Sequence, residues 1–161
     1  REGFRPFAPS VLAEDCKEYF EQDADSPYML MVAPVAEHHR KPLPKAYLKM
    51  PLWDRLYCER SDIQSITHLD FSARIQTVHK ESNERYWKLI NEFKTQTGVG
   101  LVVNTSFNVR GEPIVCDPYD AYRCFMSTEM DYLVIGDYLF KKEEQPEHEK
   151  REKWRVNFAK D

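Results

Sequence analysis

The segment 82–106 most constrains the fold, because an amphipathic helix runs there almost directly into an apolar strand. Ser82 is a predicted N-cap for a helix over 83–97. The apolar residues of this helix recur at helical spacing (Tyr86, Trp87, Leu89, Ile90 and Phe93). Gly98 suits the left-handed position that ends a helix, and 100–106 forms a predicted buried strand. A helix and strand joined so closely indicate an α/β domain.

The remaining pattern adds strands and helices on both sides of this unit. Two prolines, Pro6 and Pro9, limit the segment 4–11 to an edge or bulged strand. Ser10 is a predicted cap for a helix over 11–20, and Asp117 caps a helix that runs to about 128. The apolar patterns predict a central strand at 28–35, short strands at 65–69 and 74–78, and a final pair at 132–135 and 138–141.

These elements predict an α/β fold. With 161 residues and 42% hydrophobic residues, the chain fits one domain over 1–141 followed by a charged tail at 142–161. The stretch 37–63 is a predicted loop or lid with a short helix near Trp53. No apolar run approaches the roughly 20 residues of a membrane span, so we expect no membrane partner.

Charge and cysteine usage exclude further classes. The 23 Lys and Arg residues are outnumbered by 27 Asp and Glu residues, which argues against a nucleic-acid binder. The four cysteines form no CxxC pair, and we interpret them as reduced structural residues of a cytoplasmic protein. His38 and His39 are adjacent in a loop and lack the spacing of a zinc site, so no metal site is predicted in this chain.

Three polar clusters interrupt otherwise apolar segments, at 1–10, 67–78 and 104–113. Each contains an arginine (Arg5, Arg74 and Arg110) beside hydroxyl or amide side chains. A guanidinium group donates two parallel hydrogen bonds to phosphate or carboxylate and stays charged when it is desolvated. Serine and asparagine side chains add neutral donors. If the clusters converge, they form a pocket for a phosphorylated or adenylylated ligand.

Other interpretations of these residues remain open. The arginines can pair with surface carboxylates, Arg74 with Asp70 in particular, and 104–108 can be a turn held by side-chain caps. His68 beside Asp70 is the best acid–base candidate, although a structural role for His68 is equally consistent with the pattern. A nucleophilic pair of Cys116 and His68 is conceivable, but no glycine-rich phosphate loop is present.

Five motifs occur in order over most of 1–141: REGFRPFAPSVLAE, SPYMLMVAPV, ITHLDFSARIQTV, GLVVNTSFNVRGEPIV and MDYLVIGDYLF. In these motifs the chain closely resembles the carboxy-terminal domain of nodulation-protein-type O-carbamoyltransferases. The resemblance implies a YrdC-like fold, in which helices flank a twisted mixed sheet with a concave basic pocket. It also implies that ATP, with Mg²⁺, and carbamoyl phosphate form carbamoyladenylate there. An upstream ASKHA-type domain, which holds the iron, then transfers the carbamoyl group to an acceptor hydroxyl.

The resemblance also implies residue roles. Arg5, Arg74 and Ser106 match positions that contact the phosphate or carbamoyl group, and we take them as the catalytic set. The expected ligand-binding residues around them are Arg1, His68, Asn104, Asn108 and Arg110.

The chain departs from the family pattern at two places. A lysine that precedes the first motif in the family would lie upstream of Arg1, and the chain begins with Arg1 rather than Met. We therefore expect a fragment of a longer polypeptide. Phe71 stands where members often have glycine, which predicts an altered or shielded loop before Arg74. The rival function is a non-catalytic module of YrdC-like fold that binds nucleotide or RNA, or docks the transferase domain.

Overall fold

The computed structural model describes residues 5–146, which form two compact units, 5–105 and 106–146. The first unit contains a four-stranded sheet in the order β2-β3-β1-β4. Strands β1 and β3 are parallel, whereas β1–β4 and β2–β3 are antiparallel. The predicted mixed α/β sheet is thereby confirmed. The strands are β1 (Ala8–Leu12), β2 (Met31–Pro34), β3 (Ser72–Val78) and β4 (Leu101–Asn104).

Apolar side chains cover both faces of this sheet. On one face, Val11, Ile75 and Leu101 pack with side chains from the short helix α1 (Cys16–Tyr19). On the other, Leu12 and Val78 pack against Ile90 of α3 (Glu84–Thr97). The alternation of side chains along a strand explains why neighbours such as Val11 and Leu12 enter different cores.

The second unit consists of α4 (Pro118–Ser127) and a hairpin of β5 (Tyr132–Ile135) and β6 (Tyr138–Lys141). The strand bounds are those that the sequence predicts, and Gly136 takes the turn with φ 60°. Asp117 caps α4 as expected, since its carboxylate accepts a hydrogen bond from the Asp120 amide at 2.8 Å. The core of the unit contains Phe125, Met126 and Leu133.

The predicted helix over 11–20 is wrong in its first half. Ser10 lies within β1. Between residues 11 and 20, the α-helical part is α1, which follows a 3₁₀ turn at Ala13–Asp15. The expectation of an edge strand also fails, because β1 lies between β3 and β4. Its ladder with β3 begins at Ser10, just after Pro9, so the missing proline N–H falls where that pairing has not yet started.

Three further strand predictions require correction. The predicted buried strand over 100–106 is β4 alone, which lies at an edge of the sheet and leaves Val103 47% exposed. The run 28–35 yields only β2, which lies at the edge of the sheet rather than at its centre. The residues 65–69 form no strand, and a 3₁₀ turn occupies Gln64–Ile66. An apolar run does not show which side of a strand is covered, and β2 leaves Val32 54% exposed.

The helix α3 is confirmed with a shifted cap. Asn83, not Ser82, accepts the capping hydrogen bond from the Tyr86 amide at 3.2 Å. Gly98 ends the helix in the left-handed conformation, with φ 81°. The short helix expected near Trp53 is α2 (Leu52–Tyr57).

The structure also bears on the expected membrane spans, cysteines and carboxy-terminal tail. No helix between residues 5 and 146 is both long and apolar enough to cross a bilayer. All four cysteines are free thiols, and burial raises the pKa of Cys16 and Cys124. The tail predicted at 142–161 starts with a 3₁₀ turn, Lys142–Glu144, and from residue 147 onward it lies outside the described part of the chain.

Candidate functional site

A patch of amide and hydroxyl groups lies on the face of the sheet that α3 covers only in part. Ser10 lies two residues before Leu12 on β1, and Gln76 lies two residues before Val78 on β3. Their side chains are therefore on the same face of the sheet as the residues that α3 covers, but beyond the end of the helix. The Ser10 hydroxyl donates to Gln76 Oε1 at 2.6 Å. Asn104 Nδ2 donates to the same oxygen at 2.7 Å and to Ser10 Oγ at 3.1 Å. The sequence analysis named Asn104 but missed its two partners.

Arg74 lies on the same face of β3, two residues before Gln76 and opposite Val32 of β2. Its side chain is exposed, and between residues 5 and 146 it has no hydrogen bond or ion pair. The ion pair with Asp70 considered from the sequence does not form. The Asp70 carboxylate instead accepts hydrogen bonds from the amide and hydroxyl of Ser72. No carboxylate in this part of the chain therefore neutralises the charge of Arg74.

His68 is held in one tautomer by a short chain of hydrogen bonds. The Ser72 hydroxyl donates to Asp70 Oδ1 at 2.6 Å. Ser72 Oγ must then accept from His68 Nδ1, which lies 3.0 Å away. We assign the proton to Nδ1 on this network, which leaves Nε2 as a hydrogen-bond acceptor.

Burial lowers the pKa of His68, Asp70 opposes this shift, and the charge of Arg74 adds to it. His68 is therefore neutral near neutral pH. The hydrogen bond from the Ser72 side chain lowers the pKa of Asp70, which stays ionised. The Asp70–Ser72–His68 chain thus combines a fixed negative charge with an imidazole that offers a free lone pair.

The lowered pKa of His68 gives the stability of the chain a pH dependence. The unfolded state binds a proton below about pH 6.5 more readily than the folded state does, so acidification from about pH 7 to about pH 5 lowers the free energy of unfolding. In His68→Asn, the amide can still donate to Ser72 but does not titrate. Urea unfolding at several pH values should show the wild-type advantage over this variant shrinking as the pH falls. A difference in the free energy of unfolding that does not change with pH would contradict the lowered pKa of His68.

A cleft opens where β1 and β3 begin. Because these strands are parallel, the segments that precede them lie at the same edge of the sheet. The cleft has a volume of about 510 Å³, and a smaller pocket of about 240 Å³ shares Arg5 and Thr67 with it. Its lining residues are Arg5, Pro6, Leu56, Arg60, Thr67, His68, Leu69 and Asp70. Two sequence-predicted site residues, Arg5 and His68, thus meet in one cleft.

Arg60 is a cleft residue that the sequence analysis missed. It is 5% exposed, and its guanidinium donates to the carbonyls of Arg55 and Leu56. Its Nε has no hydrogen-bond partner between residues 5 and 146. A buried cation fixed by carbonyls favours an anionic ligand nearby. The length of the loop 37–63 was the only sequence signal for a contribution from this region.

Phe71 adopts a left-handed backbone conformation that glycine takes up most readily. Its φ is 62°, in the left-handed region, and its ring lies 5.9 Å from the guanidinium carbon of Arg40. The backbone is held on both sides, since the Phe71 amide donates to the His68 carbonyl and its carbonyl accepts from Val35. The loop before Arg74 thus keeps a glycine-like backbone and carries the strain of a Cβ atom.

The strain at Phe71 predicts that glycine is more stabilising than alanine at this position, the reverse of their order in a helix. Phe71→Gly and Phe71→Ala both lose the ring, but only alanine keeps a Cβ atom in the left-handed conformation. The glycine variant should be more stable by about 1 kcal/mol in urea unfolding. The same pair at Glu92, in the exposed interior of α3, should favour alanine by about 1 kcal/mol. A higher free energy of unfolding for Phe71→Ala than for Phe71→Gly would contradict a strained backbone at this position.

The other predicted site residues lie elsewhere. Ser106, Asn108 and Arg110 belong to the second unit, where Ser106 and Arg110 are exposed. Asn108 Nδ2 donates to the Glu112 carbonyl at 2.8 Å, so it holds the turn in which Gly111 takes φ 88°. This capping role is the one left open from the sequence. Arg1 lies outside the described residues.

Comparison with the sequences of known proteins places the chain in a family. An uncharacterized protein of Synechocystis sp. is 55% identical over 161 residues, which are 100% of this chain and 26% of that protein. Nodulation protein NolNO of Sinorhizobium fredii is 43% identical over 88% of this chain and 18% of its own length. A 3'-hydroxymethylcephem-O-carbamoyltransferase of Amycolatopsis lactamdurans is 31% identical over 89% of this chain and 24% of its own length.

The chain spans about a quarter or less of the length of these relatives. The family model described as carbamoyltransferase C-terminus matches residues 1–142, most of the sequence. The resemblance drawn from the motifs is thus confirmed: the chain belongs to the carbamoyltransferase C-terminus family.

Proposed function

We propose that this chain binds ATP and carbamoyl phosphate and forms carbamoyladenylate for an O-carbamoyltransferase. The observation that carries the proposal is Arg74, an exposed arginine without a hydrogen bond or ion pair between residues 5 and 146. It lies on the same sheet face as the amide and hydroxyl groups of Ser10, Gln76 and Asn104. A phosphate beside a carbamoyl group requires this combination of a cation and neutral hydrogen-bonding groups.

In the proposed reaction, water releases inorganic phosphate from carbamoyl phosphate and leaves carbamate. A carbamate oxygen then attacks the α-phosphorus of ATP, and pyrophosphate leaves with the electron pair of the broken bond. Negative charge accumulates on the phosphate oxygens, and fixed cations lower the barrier by stabilising that charge. Holding carbamate and the α-phosphate in line supplies much of the remaining rate.

The described residues fit separate parts of this task. In the proposal, Arg5 and the buried Arg60 of the cleft neutralise phosphate oxygens, and Arg74 does so from the exposed face of β3. His68 Nε2 is an acceptor and suits an N–H of the carbamoyl group. In the proposal, Ser106 also contacts the phosphate or carbamoyl group, and the remaining binding residues are Arg1, Asn104, Asn108 and Arg110.

The wider assignment belongs to the same proposal. It includes a YrdC-like fold over 1–141 with a concave basic pocket, Mg²⁺ bound with ATP, and a cytoplasmic location. The partner is an upstream ASKHA-type domain that holds the iron and transfers the carbamoyl group. The family description and the name of the cephem relative support a carbamoyltransferase in general and leave the acceptor of this protein open.

Calorimetric titration tests the proposal. The intact protein, including the lysine expected upstream of Arg1, is titrated with ATP in the presence and absence of carbamoyl phosphate. Saturable binding of ATP supports the nucleotide site. If ATP does not bind in either condition, the proposal fails and the rival docking module takes its place. The isolated chain 1–161, titrated in parallel, shows how much of the binding depends on the part of the intact protein outside this chain.

A further inference from the structure

We propose that Glu18, His38 and His39 form a binding site for a divalent transition-metal ion, with zinc as the best match. A ring nitrogen of each histidine and a carboxylate oxygen of Glu18 all lie within 4.8 Å of one another. Two imidazoles and one carboxylate are a donor set that zinc uses with a fourth position open to water. Mg²⁺ prefers oxygen ligands, so this site is distinct in its chemistry from the Mg²⁺ that accompanies ATP.

Asp62 orients His39 for this role. The Nδ1 atom of His39 lies 3.0 and 2.9 Å from the two carboxylate oxygens of Asp62. A carboxylate on Nδ1 fixes the proton there and leaves the lone pair of Nε2 for a metal, as in carboxylate–histidine–zinc arrangements. The backbone supports the contact, since the Asp62 amide donates to the His39 carbonyl at 3.1 Å and Arg40 forms a β-bridge with Ser61.

The Nε2 atom of His39 is buried and has no hydrogen-bond partner between residues 5 and 146. Its ring stacks on Tyr19, with centroids 5.1 Å apart and planes 13° from parallel. Tyr19 is itself fixed, because its hydroxyl accepts from the Gly100 amide at 2.8 Å. A buried nitrogen without a partner is costly, and a bound metal removes that cost.

The remaining donors can adjust to an ion. A tetrahedral zinc site places its donors about 3.4 Å apart, which is shorter than the 4.8 Å limit here. Glu18 and His38 are exposed, so small rotations can bring them toward the fixed His39. The carboxylates of Glu18 and Asp62 provide negative charge beside the ion. The sequence analysis predicted no metal because adjacent histidines lack ligand spacing, and the fold adds the two acidic residues that the spacing did not show.

A metal here would join two segments of the first unit. Glu18 belongs to α1, and His38 and His39 belong to the 3₁₀ turn Glu37–His39 at the start of the long connection. That connection continues to Leu56 and Arg60, which line the cleft. The site would therefore stabilise the segment that carries cleft residues, without itself lying among the lining residues of the cleft.

Cobalt titration of the metal-stripped intact protein tests the inference, because Co²⁺ substitutes for zinc and has visible absorption. The wild type should bind one Co²⁺ per chain more than His39→Ala does. Asp62→Asn should keep this ion with about 10- to 100-fold weaker affinity. His79→Ala is the matched control, since His79 also pairs with a carboxylate, Asp25, but has no part in the cluster. It should bind as the wild type does.

Glu18→Gln provides a second route if His39→Ala fails to fold, because Glu18 is exposed. It should weaken the additional Co²⁺ and leave the thermal midpoint of the metal-free protein unchanged. Zn²⁺ should displace the additional Co²⁺, whereas Mg²⁺ should not. Equal Co²⁺ stoichiometry and affinity in the wild type, Glu18→Gln and every His39→Ala preparation that folds would overturn the inference.

Discussion

Replacing Arg74 with alanine should reduce carbamoyl phosphate-dependent release of pyrophosphate from ATP by roughly 10²- to 10³-fold in the intact protein. The side chain makes no hydrogen bond or ion pair within the described chain, so its removal leaves no carboxylate unpaired and should not change the thermal midpoint. The lower rate should therefore come from lost contacts to the ligand and not from unfolding. A coupled pyrophosphate assay measures the rate, and a thermal melt of the same preparation measures the fold.

Two further variants define the role of Arg74. Arg85→Ala removes an exposed arginine in the first turn of α3 and should keep the wild-type rate. Arg74→Lys keeps the charge but cannot donate two parallel hydrogen bonds, so an intermediate rate is expected. A wild-type rate in Arg74→Ala would remove this residue from the mechanism.

Phe125→Ala should lower the free energy of unfolding of the second unit by about 3–5 kcal/mol. The ring is fully buried against Met126 and Leu133, and the ammonium of Lys142 lies 3.8 Å from its centroid. Its removal loses buried apolar area, leaves a cavity and deletes a cation–π contact.

Urea unfolding followed by circular dichroism measures this loss. Tyr119→Ala on the same helix removes a side chain that is 65% exposed and should change the free energy of unfolding by about 0.5 kcal/mol or less. A loss of less than about 1 kcal/mol for Phe125→Ala would contradict the packing described for this unit.

The elements best predicted from the sequence are those whose local signals agree. The helix α3 combines an amphipathic period, a polar cap and Gly98, and the hairpin of β5 and β6 combines two short apolar runs with Gly136. In these segments, local preference and tertiary packing favour the same conformation, so the pattern alone was sufficient.

The strand expected within 4–11 is present as β1, but the helix predicted from Ser10 was wrong because the signals there conflict. Ser10 before an amphipathic stretch is typical of a helix start, yet it hydrogen-bonds to Gln76, 66 residues away. Pairing with β3 and β4 on both sides stabilises the strand more than the local cap stabilises a helix. The spacing of neighbouring residues in the sequence does not indicate such long-range partners.

The candidate site was only partly accessible from the sequence for the same reason. The motifs indicated Arg5, Arg74 and His68, and the structure places Arg5 and His68 around one cleft. The contributions of Arg60 and Gln76 depend on a long loop and on the register of two strands, which no motif spacing specifies. The tautomer of His68 likewise depends on a network that only the folded chain reveals.

Direct detection of the intermediate tests the central claim. The intact protein is incubated with ATP, Mg²⁺ and isotope-labelled carbamoyl phosphate, without any acceptor, and the quenched mixture is examined by mass spectrometry. We expect an adenylate that carries the labelled carbamoyl group, together with pyrophosphate, and neither product in Arg74→Ala. Release of inorganic phosphate without a labelled adenylate in the wild type would contradict carbamoyladenylate formation.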